Sequence, residues 1–159
     1  MMTPDRATKA FPELTYFKPV YLFLLFVMGL TGFAQMPIFK RYYIADIPGL
    51  AWLADFYVTH YLHYLGAIIL AGFFVYAGVV YFGLMCKQFH LTRAAFVRIG
   101  LLALIVITGI FRVLKNLPDV VFSPAFTMAI DISHLVFMML LMTFGLIFMV
   151  LKKPWIVEK

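Results

Sequence analysis

The sequence of 159 residues contains a single cysteine, Cys86, so no internal disulfide framework is available to it. Charged side chains make up only 13%, about half the share usual in a soluble domain. That scarcity excludes a soluble enzyme, and it excludes a disordered chain, which needs many charges and few apolar groups. The first 18 residues carry Asp5, Arg6, Lys9, Glu13 and two prolines, without the charged-then-apolar pattern of a cleavable signal. What the chain does have is hydrocarbon: 65% of it is hydrophobic and the mean hydropathy is +1.00. An integral membrane protein is expected. The net charge of +6 would suit nucleic acid, but bilayer proteins gather Lys and Arg on one side of the membrane, which removes that need.

About 20 apolar residues cross a hydrocarbon core of about 30 Å. Four stretches qualify: residues 20–39, 51–85, 94–114 and 124–151. The second is longer than a simple crossing and is expected to tilt or to project beyond the bilayer. With the N-terminus inside, Arg6, Lys9, Lys18, Lys87, Arg93, Arg98, Lys152, Lys153 and Lys159 lie on the cytoplasmic side. Lys40, Arg41, Arg112 and Lys115 lie outside. This bias favours both termini in the cytoplasm. The expected fold is an all-α, up-down bundle of four transmembrane helices forming one membrane domain, residues 1–159.

A weak repeat runs through the chain. Leu30-Thr31-Gly32-Phe33 near the outer end of span 1 resembles Ile107-Thr108-Gly109-Ile110 near the outer end of span 3. Each is followed by a basic, irregular segment, an aspartate, and a histidine early in the next span.

Of four histidines, His90 falls between Lys87 and Arg93 and reads as a solvated loop residue. The other three, His60, His63 and His134, stand near the outer ends of spans 2 and 4. An ionisable group inside a membrane helix is costly and points to function. A single one is explained by a hydrogen bond to a neighbouring helix; two helices presenting histidine at similar depth ask for more. At 1.5 Å per residue, His134 stands about 27 Å from Lys152, His63 about 36 Å from Lys87, and His60 about 40 Å from it. Depth therefore pairs His63 with His134. The local likeness of Thr59-His60 to Ser133-His134 keeps His60 as a substitute.

Two imidazoles on facing helices suit haem iron. Zinc prefers four ligands with Cys or carboxylate among them, and Cys86 lies at the far end of span 2. Met138 and Met139 offer a His–Met alternative, although methionines serve equally as gap-filling side chains. Gly32 and Gly109 remove side chains where a flat macrocycle would need room, and they equally suit plain helix packing. Arg112, Lys115, Lys40 and Arg41 could meet haem propionates, or simply snorkel to the interface. A quinone needs a flat apolar slot with a proton donor or acceptor, for which His60, Asp131 and Asp55 are candidates. Asp131 could instead orient a ligating imidazole or cap span 4.

Leu30-Thr31-Gly32, His63-Tyr64-Leu65-Gly66 and His134 together resemble the cytochrome b subunits of membrane formate dehydrogenases and [NiFe] hydrogenases, with the related bacterial cytochrome b561 group. The resemblance covers all four spans. It implies haem b, a quinone, an inner-membrane location, and a partner subunit carrying iron–sulfur or haem centres. The family has further histidines about where Tyr16-Phe17-Lys18-Pro19 and Phe148 stand here. The resemblance thus implies that the cytoplasmic-side haem is lost and one outer haem kept. A haem-free membrane anchor for such a complex is the alternative. A small transporter fits less well, because spans 1 and 3 contain no interior carboxylate.

Overall fold

The computed structural model describes residues 14–36 and 38–159; Asp5, Arg6, Lys9 and Glu13, which entered the charge count and the reading of the leader, lie outside the described residues. Four long helices dominate: α1 (Leu14–Ala34), α2 (Phe56–Val80), α3 (Arg93–Leu114) and α4 (Pro124–Val150). All four are long and apolar enough to cross a membrane. Side chains such as Phe23, Phe26, Ile68, Val75, Val79, Met149 and Val150 stay exposed on them. Apolar surface of that kind requires lipid rather than water around it. The chain is an all-α, multi-pass membrane protein.

The helix ends follow from local chemistry. The Asp55 carboxylate accepts from the Tyr57 and Val58 amides at 2.9 and 3.1 Å, so α2 begins at Phe56 rather than at Ala51. Residues Ala51–Ala54 form a separate 3-10 turn. Span 1 also differs from expectation: it starts earlier, running through Pro19, and stops at Ala34. The chain beyond is polar at Gln35 and reaches a proline at position 37. Ser123 caps α4, with Pro124 at the first helical position where a missing amide proton costs nothing. The excess length of span 2 is real, because α2 continues into a π-helical turn over Tyr81–Met85.

The helices pair within two compact units, one ending at Leu84 and the other spanning Met85–Lys159. In the first, α1 and α2 form an antiparallel hairpin: Thr31 at the end of α1 meets His63 early in α2, while Phe17 stacks on Tyr76. In the second, α3 and α4 do the same, with Thr108 meeting His134 and Arg98 meeting Phe148.

The second unit carries an element that hydropathy did not announce. Strands β1 (Phe89–Leu91) and β2 (Ile156–Glu158) pair antiparallel, with His90 opposite Val157. His90 is exposed as expected, but it sits in a strand rather than a loop. The tail reaches β1 because α4 ends in a left-handed turn at Lys152 (φ 50°), with the Lys153 amide bonding back to the Phe148 carbonyl at 2.8 Å. One hydroxyl then secures the clasp. Thr92 Oγ1 donates to the Pro154 carbonyl at 2.8 Å and accepts from the Ala95 amide at 3.0 Å, capping α3 with the same oxygen.

Candidate functional site

In the first unit, Thr31 is almost fully buried (1% exposed) and its hydroxyl bonds the Val27 carbonyl one turn back, at 2.7 Å. The same oxygen lies 3.0 Å from His63 Nδ1. The next residue, Gly32, leaves space for the ring: a Cβ there would stand 3.2 Å from His63 Cε1, tighter than an ordinary contact. One turn along α2 the Met28 side chain of α1 fills the space over Gly66, where a Cβ would stand 2.7 Å from its Sδ. The imidazole of His63 is thus seated on a Thr-Gly pair of the neighbouring helix.

The second unit repeats this arrangement. Thr108 Oγ1 bonds the Leu104 carbonyl at 2.8 Å and lies 2.9 Å from His134 Nδ1. A Cβ on Gly109 would stand 3.5 Å from His134 Cε1. The repeat seen in the sequence is therefore a repeat of the threonine–imidazole contact with a glycine beside it, tight at Gly32 and in ordinary contact at Gly109.

His60 has different surroundings. Its Nδ1 lies 3.1 Å from Gln35 Oε1, and its ring stacks on Phe56 and leans on Tyr64, at centroid distances of 5.1 and 4.3 Å. Gln35 in turn donates from Nε2 to the Thr31 carbonyl at 3.4 Å. The likeness between Thr59-His60 and Ser133-His134 is of another kind: both hydroxyls bond carbonyls of their own helix, Asp55 and Ala129.

The charged candidates are engaged locally. Asp131 accepts from Lys115 Nζ at 2.7 and 2.8 Å. Arg112 Nε lies 3.0 Å from the same carboxylate without its N–H aimed at the oxygen, an ion pair rather than a hydrogen bond. The Nδ1 contact of His134 is with Thr108 and the cap of α4 is Ser123, so Asp131 serves as counter-ion to two cations. Asp55 caps α2. Lys40 and Arg41 are exposed in a short helical turn, Ile38–Arg41, of the first unit. Met138 is half-buried and Met139 is 46% exposed.

At the opposite end of each hairpin, aromatic side chains pack between the helices. Phe17 stacks on Tyr76 and meets Phe73 at a tilt, with centroids 5.5 and 5.2 Å apart. Phe148 lies under the guanidinium of Arg98. Sequence reasoning did not anticipate the roles of the Thr31 and Thr108 hydroxyls, of Gln35, or of Arg98. The repeated Thr-Gly pair was the available signal for the first two.

Among the described residues, no three His, Cys, Asp or Glu side chains cluster in a way that could hold a metal ion. A metal served by such clusters, as zinc is, has no donor set among the described residues. Iron in a porphyrin brings its own equatorial nitrogens and asks the protein only for axial ligands, which imidazoles supply. Compared with family models, with curated proteins and with solved structures, the chain gives no match.

Proposed function

We propose that this protein is a haem b electron-transfer subunit of a larger membrane oxidoreductase, with both termini on the cytoplasmic side of an inner membrane. The observation that carries the reading is the repetition of one arrangement in two separate units: an early histidine of the second helix seated on a Thr-Gly pair of the first. Interhelical hydrogen bonding alone accounts for a Thr–His pair. It does not by itself account for the same Thr-Gly-His set appearing twice, with the ring close against Gly32 in the first unit. His63 and His134 are the proposed axial ligands, each argued from its own unit, and the threonine contact they have in common favours them over His60. Bound haem supplies one-electron transfer.

Quinone is the proposed redox partner within the membrane, and a subunit with iron–sulfur or haem centres is the partner outside it. His60, flanked by Phe56 and Tyr64 and donating from Nδ1 to the Gln35 amide oxygen, offers an aromatic surface and an Nε2 lone pair of the sort that accepts a proton from a quinol hydroxyl. Asp55 and Asp131 already serve as a helix cap and a counter-ion, which leaves His60 as the better quinone candidate.

A dithionite-reduced minus oxidised spectrum with a pyridine haemochrome count tests the reading. About one haem b per chain is expected, lost in His63→Ala and in His134→Ala but retained in His60→Ala. Absence of haem from the intact, assembled complex would overturn the proposal and leave a haem-free anchor as the better account.

A further inference from the structure

We infer that Thr31 and Thr108 are positioning residues that fix His63 and His134 as the Nδ1–H tautomer, leaving the lone pair of each ring on Nε2. The assignment of the tautomer stands on hydrogen-bond geometry; its bearing on iron rests on the haem reading above.

A threonine hydroxyl has one proton to give and two lone pairs that accept. A backbone carbonyl can only accept. The contact of 2.7 Å between Thr31 Oγ1 and the Val27 carbonyl therefore uses the hydroxyl proton. Only lone pairs remain for His63 Nδ1 at 3.0 Å, so the ring nitrogen must be the donor. The same count holds at Thr108, whose proton goes back to its own helix at Leu104, 2.8 Å away, leaving lone pairs for His134 Nδ1 at 2.9 Å. A neutral imidazole carries a single ring proton, so with Nδ1 protonated the donor nitrogen is Nε2 in both units.

Two consequences separate this from simple helix adhesion. A hydrogen bond from Nδ1–H fixes the ring's orientation and raises the basicity of the other nitrogen, which is how outer residues tune a metal-bound histidine. In α1 the threonine also stands beside the glycine that admits the ring, so Thr31 and Gly32 set both which nitrogen His63 offers and where its imidazole sits. Thr31 has a further part, because its carbonyl holds the Gln35 amide that contacts His60.

The test uses the full chain labelled with 15N in its histidine rings, with Thr31→Val, Thr108→Val and the corresponding serine variants. Two-bond 1H–15N correlations should show the Nδ1–H pattern for His63 and His134, beside that of His60, whose Nδ1 faces the Gln35 amide oxygen; the His63 pattern should be disturbed in Thr31→Val and the His134 pattern in Thr108→Val, each restored by serine. In haem-loaded protein, each valine variant should keep its haem while the midpoint potential rises, because a less electron-rich imidazole stabilises ferric iron less; serine should return it towards wild type. An Nε2–H pattern for His63 or His134 in the wild type would overturn the inference, as would valine variants with unchanged tautomer and potential. Wild-type protein that takes up no haem yet shows the Nδ1–H pattern would refute the haem reading and uphold the tautomer assignment. Should a valine variant fail to fold, the wild-type and serine spectra decide the assignment.

Discussion

Arg98 lies with its guanidinium carbon 4.9 Å above the centre of the Phe148 ring and 4.9 Å from that of Trp155. Only 6% exposed, it also donates from Nη2 to the Lys153 carbonyl at 3.2 Å. A single cation from the second turn of α3 thus gathers the end of α4 and the returning tail. A buried charge is tolerable here because aromatic faces and a carbonyl replace its water.

Replacing Arg98 with methionine keeps much of the side-chain volume and removes the charge. Desolvated cation–π contacts are worth about 2 kcal/mol, and a hydrogen bond from a charged donor about 1.5–3 kcal/mol. Because burying the charge costs part of this back, a net loss of about 2 kcal/mol is expected, read as a lower thermal midpoint in detergent. An unchanged midpoint would mean that the aromatic box contributes nothing.

The two glycines beneath the imidazoles are predicted to differ. At Gly32 an added methyl meets His63 Cε1 at 3.2 Å and the ring must yield, whereas at Gly109 the distance of 3.5 Å is ordinary contact. Gly32→Ala should therefore lower haem content well below wild type, and Gly109→Ala should leave it near wild type. Equal effects from both substitutions, measured by haemochrome assay at matched protein level, would contradict this.

Gly66 gives Met28 its place, since a Cβ there would stand 2.7 Å from Met28 Sδ and turn that flexible side chain aside. Because a methionine tip can move, Gly66→Ala should cost about 1 kcal/mol, the low end for overpacking. Met28→Ala vacates the same space, at its own cost, so the double variant should be more stable than the sum of the two single losses predicts. Strict additivity in unfolding experiments would show that the two residues do not compete for space.

Much of the helical framework was legible because hydropathy over 20 residues reports directly on lipid exposure. Spans 3 and 4 match the observed helices to within a residue. Span 1 was misplaced because apolar content continues past Ala34 into Met36, Ile38 and Phe39, where the helix has already ended. Span 2 was started early because Ala51–Ala54 is apolar, although Asp55 behind it is the cap. The strand pair was missed because three-residue strands carry almost no periodic signal, and their pairing joins positions 89–91 to 156–158. At the site, the Thr-Gly repeat and the three outer histidines were visible. What joined Thr31 to His63 rather than to His60 was not, because hydrogen-bond partners across a hairpin depend on helix rotation, which composition does not specify.

Asp131 provides the last test. Its carboxylate lies 2.7 Å from Lys115 Nζ and 3.0 Å from Arg112 Nε, with 39% of the side chain exposed. Partial exposure screens the attraction, so the pair with Lys115 should be worth no more than about 1 kcal/mol. Asp131→Asn should lower stability by roughly that amount, and by less in a Lys115→Met background, where one partner is already gone. Raising salt should shrink the difference between wild type and variant. Because the Nδ1 contact of His134 is with Thr108 rather than with this carboxylate, haem content should stay near the wild-type level in Asp131→Asn. Loss of haem in that variant, with the stability change as small as expected, would instead mean that the carboxylate acts on the ligand itself.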